Sequence, residues 1–157
     1  LDAYVAIGGL DAIQEEYSMV KRDIERTLLP VCARHGISTL SYSSLALGLL
    51  TGRIGPERVF TGDDQRKDNP RFSIANREKV ARLMAEIGPL AKAHEATPAQ
   101  IVIAWTIRQP GITFALCGAR DPGQARENAR AGRIRLSDEE IKTISEAATR
   151  HLIELDA

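Results

Sequence analysis

Three short stretches carry groups able to hold a ligand, and the last is the most pointed. In LCGARDPGQARENARAG, residues 116–132, apolar Leu116 and Cys117 lead into small Gly118 and Ala119, then the cation Arg120 and the helix-opening pair Asp121-Pro122. Bare backbone, a guanidinium and a helix N-terminus at one strand end suit an anion, most simply a phosphate. Free N–H groups and the helix dipole converge there, and a guanidinium meets phosphate oxygens two at a time. SYSSLALGLLTGR, 41–53, offers Tyr42, two hydroxyls, Gly48, Gly52 and Arg53; DAIQEEY, 11–17, offers Gln14 and Tyr17. An amide, aromatic faces, hydroxyl and backbone donors and two arginines could together meet the amide, ring and phosphates of a dinucleotide. Taken singly, each has a plainer reading as a strand-end amide, a core aromatic or a solvated surface charge. Convergence is what points to a site.

The elements that must position these groups alternate. Residues 11–17 read as a strand. RDIERTLLPVCARHG, 22–36, has helical spacing at Ile24, Leu28, Val31 and Cys32 and stops at Gly36. Pro30 either kinks that helix or opens its regular part. Residues 37–42 form a second strand. Residues 53–73 are polar and rich in Gly and Pro, a loop long enough to be a functional lid or a mobile segment. Ser73 caps a helix towards Gly88-Pro89 and His94. Thr97 and Gln100 make a capping box, with Pro98 at the first helical position and Pro110-Gly111 as the stop. The apolar residues of that helix run nearly all round, which predicts burial. ITFALCG, 112–118, reads as a third strand, apolar on both faces. Asp121-Pro122 opens a helix to about Ala131, and Ser137 with Glu140 boxes the last helix, to about Arg150. This is a βα series, implying parallel strands under covering helices, with ligands at the strands' carboxyl ends.

Composition narrows the rest. A chain of 157 residues with 21 basic and 21 acidic residues and zero net charge can bury a core, and lacks the bulk charge that draws nucleic acid or anionic membrane. Cys32 and Cys117 give neither a disulfide framework nor zinc spacing, so a reducing, cytoplasmic setting is expected, with Cys117 a small core residue. No apolar run reaches the ~18 residues of a membrane span, and no signal peptide is visible. The chain begins at Leu1, in mid-pattern, and is expected to be a fragment. There is no G-x-S-x-G elbow, no H-E-x-x-H and no Cys–His arrangement, which argues against a hydrolase.

QEEYSMVKRDIE, YSSLALGLLTGR and GARDPGQARENARA, in this order, resemble the carboxyl-terminal half of aldo-keto reductases, most closely the branch of the potassium-channel β-subunits and their bacterial relatives. The resemblance spans essentially the whole chain. It implies an α/β fold, the C-terminal half of a (β/α)8 TIM barrel, as one partial domain over 1–157 with 53–73 as a cofactor-covering loop. It also implies NADP(H) in preference to NAD(H), and reduction of aldehydes and ketones. Carried over by position, Gln14 would bond the nicotinamide carboxamide and Tyr42 would stack on its ring. Ser43, Leu45, Gly48, Leu49, Thr51 and Arg53 would line the pyrophosphate. Gly118, Arg120, Gln124 and Asn128 would hold the adenosine end, with Arg120 facing the 2′-phosphate; Gln124 and Asn128, four apart, share a helix face.

Departures from the family pattern are Ser44 where Pro is usual, Leu116-Cys117 where Ile-Pro is common, and Asp121, whose charge partly offsets Arg120. The family's catalytic Tyr, Lys, Asp and His belong to the other half of the barrel. His35, His94 and His151 fall near helix ends or in the tail, and Tyr17 has no Lys–Asp pair, so no catalytic residue is assigned. Three strands also leave two open edges, which invite pairing with a second copy. The expected partners are therefore the nicotinamide dinucleotide, a small carbonyl substrate only where the barrel is completed, and a homo-oligomer. The other function class is a non-catalytic module that binds nucleotide or only self-assembles.

Overall fold

The computed structural model describes residues 1–152 and Leu155; the expected 1–157 domain thus extends over 153, 154, 156 and 157, which lie outside the described residues. Among the described residues, nine regular elements follow one another: α1 (Asp2–Ile7), β1 (Ala12–Glu16), α2 (Leu29–His35), β2 (Ser38–Tyr42), α3 (Ile74–Ala93), α4 (Pro98–Ile107), β3 (Phe114–Ala115), α5 (Pro122–Ala131) and α6 (Asp138–Leu152), with short 3₁₀ turns between them. The strands make one parallel sheet in the order β1-β2-β3.

Local signals account for most boundaries. Pro30 lies in the first turn of α2, and Gly36 closes that helix in the left-handed conformation. The kink alternative is not what forms. Thr97 accepts from the Gln100 N–H while the Gln100 side chain accepts from the Thr97 N–H, the reciprocal box that starts α4. Ser137 and Glu140 do the same for α6. α4 is buried from Ala99 to Thr106, which is why it carries no polar face. α3 packs against α6, burying Val80, Leu83 and Ile87 of one and Ile144, Ala147 and Ala148 of the other.

Four expectations are corrected. β3 is two residues long rather than spanning 112–118, and it is not covered on both faces: Phe114 is 56% exposed. Past Ala115 the chain keeps one ladder bond, Leu116 N–H to the Ser41 carbonyl, and then leaves the sheet. α3, by contrast, runs as expected through Gly88-Pro89 to Ala93, with His94 as its C-cap. α1 carries no buried residue, and nothing in the sequence pattern announced it. His151 lies within α6, bonded to Glu86, rather than in a tail. Cys117 is only half-buried, while Cys32 is core; both are free thiols.

Candidate functional site at the strand ends

Parallel register decides which side chains share a face. Gln14 pairs with Leu40 and Leu40 with Phe114, so these three lie in one row; two residues on, Glu16 lies opposite Tyr42. The opposite face holds Thr39 and Ser41, both fully buried. Gln14 and Tyr42 therefore stand on the uncovered face, and Tyr42 is 42% exposed, available as a flat ring rather than sealed in a core.

The turn that follows β2 is strained. Ser43, Ala46 and Leu47 all have positive φ (60°, 47° and 55°), an arrangement that non-glycine residues keep only where the surroundings impose it. Gly48 and Gly52 take the left-handed positions of the same turn at 91° and 74°. Leu49 is buried, so only its backbone could meet a ligand, while Leu45 is half-buried against the core. The Thr51 hydroxyl donates to the Gly48 carbonyl at 2.6 Å and accepts from the Arg53 N–H. Ser44 turns inward onto Ser41, their hydroxyl oxygens 3.2 Å apart, so its hydroxyl is not among those the 41–53 stretch offers to a ligand.

At the end of β3 the expected adenosine-side residues come together. Asp121 caps α5 by accepting from the Gln124 N–H at 2.9 Å. The Gln124 side chain accepts from the Arg120 N–H at 3.0 Å, and the Asn128 amide donates to the Gly118 carbonyl at 3.1 Å. Gly118, Arg120, Gln124 and Asn128 thus form one turn, and the Arg120 guanidinium projects from it with no hydrogen bond or ion pair among the described residues. Its charge still reaches Asp64 in the 53–73 loop. Asp64 is held at about 2, first by hydrogen bonds from the Arg66 side chain and backbone, then by the charges of Arg66 and Arg120.

Several functional-looking groups escape sequence reasoning. Arg53 is not a free surface charge: it grips the Glu127 carboxylate of α5 at 2.9 and 3.0 Å. Glu127 also accepts from the Thr97 hydroxyl, and its carbonyl accepts from the Gln100 amide. Arg71 donates to Glu16 at 2.9 Å. The only local signals were the charged residues themselves, Glu16 beside Gln14 and Glu127 beside Asn128. Tyr17 is fully buried, stacked on Trp105 at 6.3 Å with its hydroxyl on Glu25. Burial, followed by the Glu25 bond and charge, pushes that hydroxyl far above its ordinary range, the wrong direction for a proton donor. Among the described residues no group of three or more His, Cys, Asp or Glu is placed to hold a metal ion. A shallow hollow lined by Arg22, Lys142, Ser145 and Arg150 involves none of the strand-end residues.

The model of the aldo/keto reductase family matches residues 6–149. The chain belongs to the aldo-keto reductase family. An NADH-specific methylglyoxal reductase of Escherichia coli is 37% identical over 145 residues, 92% of this chain and 44% of that protein. The aldo-keto reductase yakc [NADP(+)] of Schizosaccharomyces pombe is 31% identical over 145 residues, 90% of this chain and 43% of that one. The solved glycerol dehydrogenase from Gluconobacter oxydans superposes with a TM-score of 0.89 at 31% identity, covering 99% of this chain and 47% of that one. The chain therefore spans under half the length of these aldo-keto reductases, as three parallel strands and their helices from the family's barrel. It is a partial chain of an NAD(P)-dependent oxidoreductase family.

Proposed function

We propose that this chain is the carboxyl-terminal, cofactor-binding part of an NADP(H)-dependent aldehyde or ketone reductase of the potassium-channel β-subunit-like branch. The observation that carries the reading is the row of strand ends. Gln14 and Tyr42 share the uncovered face of adjacent strands, and the next strand runs into the turn that presents Arg120 at the start of α5. In this reading the Gln14 amide orients the nicotinamide carboxamide and the Tyr42 ring backs the nicotinamide, which supplies hydride when bound. Ser43, Leu45, Gly48, Leu49, Thr51 and Arg53 line the pyrophosphate through backbone donors and the guanidinium. Gly118, Gln124 and Asn128 frame the adenosine, and the unpaired Arg120 faces the 2′-phosphate. Loop 53–73 covers them; the influence of Arg120 on Asp64 supports that placement.

The relatives divide on the cofactor by name, one NADH-specific and one NADP(+). An unpaired guanidinium beside a helix N-terminus favours the extra phosphate. The residues fit such a group. No catalytic residue is assigned at these strand ends: Tyr17 is buried and its hydroxyl is pushed far above its ordinary range, so in this reading turnover of a carbonyl compound rests on strands outside this chain. The cytoplasmic setting belongs to the same proposal, with two free thiols; no described helix is long and apolar enough to cross a membrane.

The test is NADPH fluorescence titration beside NADH. Arg120→Ala should weaken NADPH binding about tenfold or more, the loss of a charge-assisted contact of ~1.5–3 kcal/mol, while changing NADH little. Equal loss for both cofactors would remove the 2′-phosphate role; no saturable binding to the unsubstituted chain would remove the reading. A second reading, a self-assembling half-barrel, is favoured by the open sheet: β1 and β3 are both edge strands, and Tyr42, Phe114 and Leu116 are exposed on or beside them.

A further inference from the structure

Loop 53–73 lacks regular structure for most of its length, yet it is a built body. Arg77 of α3, only 6% exposed, donates to the carbonyls of Gly55, Arg58 and Phe72 at 2.9, 2.7 and 2.9 Å. Its guanidinium and that of Arg66 lie over the Phe60 ring at 5.5 and 4.9 Å, and Phe60 meets buried Phe72 edge-on at 5.6 Å. Asn69 caps the turn of Pro70–Phe72, which fixes the backbone that carries Arg71. The loop is thus a strap with firm internal structure.

Among the described residues, two ion pairs join this strap to the elements of the candidate site. Arg53 holds Glu127 of α5, with the Arg53 side chain 61% exposed; Arg71 holds Glu16, with exposures of 16% and 27%. Exposed pairs contribute little, and a pair shielded from water contributes more. The firmer of the two ties is therefore Arg71–Glu16. Glu16 is placed where that matters: it follows Gln14 by two residues on the same face and lies opposite Tyr42 in the parallel register.

We propose that Glu16 is a positioning residue which, through Arg71, latches the 53–73 strap over the nicotinamide end of the cofactor site. This rests on the cofactor reading above, since neither side chain of the pair is assigned a contact with cofactor. The pair sets how far the strap stands from Gln14 and Tyr42, while Arg53–Glu127 tethers it at the phosphate end. Opening the strap to release cofactor then requires parting Arg71 from Glu16. Lys21 also feels the charge of Glu16, but it is already engaged with Asp23.

Two readouts separate this claim from the one beneath it. Limited trypsin digestion reports strap opening after Arg58, Arg66 and Lys67 without any cofactor; stopped-flow fluorescence reports NADPH departure. Glu16→Gln should speed both about five- to tenfold, the loss of one half-buried pair of ~1 kcal/mol, with a melting temperature lowered by no more than a few degrees. The exchanged pair, Glu16→Arg with Arg71→Glu, should bring both rates back towards the original. Unchanged cleavage in Glu16→Gln would overturn the latch, and faster cleavage with unchanged NADPH departure would overturn its positioning role. An exchanged pair that restores neither rate would also overturn it. If the unsubstituted chain binds no NADPH, the cofactor reading fails and the positioning role with it, while cleavage still shows whether the latch exists.

Discussion

At the scale of single residues, carboxylates set the electrostatics. Asp64 is held at about 2 by Arg66. Glu86 is held below the usual range by the His151 hydrogen bond and then by Arg150; Glu140 is lowered by the Ser137 backbone N–H and then by His94. In each case the unfolded chain takes up the proton first as pH falls. The stability these groups contribute is therefore complete above the ordinary values of 4.5 for Glu and 3.8 for Asp, and is lost as pH falls through the lowered folded values. Melting temperature followed by circular dichroism should drop as pH falls from about 4.5 to about 2. Glu86→Gln should make that drop shallower. An equal drop with and without Glu86 would show that its pairing with His151 and Arg150 adds nothing to acid sensitivity.

Among the elements, α4 connects fold to site. Its first turn is closed by Thr97 and Gln100, and the same two side chains hold Glu127, the carboxylate that engages Arg53. One helix start thus braces both the core and the phosphate side. Thr97→Ala removes the cap and the hydroxyl on Glu127 together and should cost about 1–2 kcal/mol of stability in urea unfolding. Thr97→Ser, which keeps the hydroxyl, should recover most of it. A Thr97→Ala chain as stable as the original would mean that the box is redundant with the packing of α4.

For the molecule as a whole, the open sheet is the feature that stands out. Among the described residues, backbone groups at the outer edge of β1 and beyond the two residues of β3 have no neighbouring strand, and no helix covers the face carrying Tyr42 and Phe114. Unpaired edges and exposed aromatic surface drive association. Gel filtration should give a size above that of a monomer, and Phe114→Lys should move it towards monomer. Elution as a compact monomer that unfolds cooperatively would sink the self-association reading, leaving the rest of the barrel as the natural cover for this face.

What the sequence by itself determined is local. The Thr97–Gln100 and Ser137–Glu140 boxes, the Asp121 cap and the Gly36 stop each form within four residues, so propensity and hydrogen bonding decide them before any packing occurs. The family was legible for a related reason, because its motifs are short runs around strand ends. Only the tertiary structure decided that Arg53 meets Glu127, 74 positions away, that Arg71 meets Glu16 across 55, and that Tyr42 faces outward while Ser44 turns in. It also decided the length of β3. ITFALCG has the composition of a covered strand, but a strand extends only while its chain stays beside a neighbour, and this one bonds to β2 only from Thr113 to Leu116 before turning away. Pair partners and burial depend on what the fold brings alongside, which no window along the chain contains.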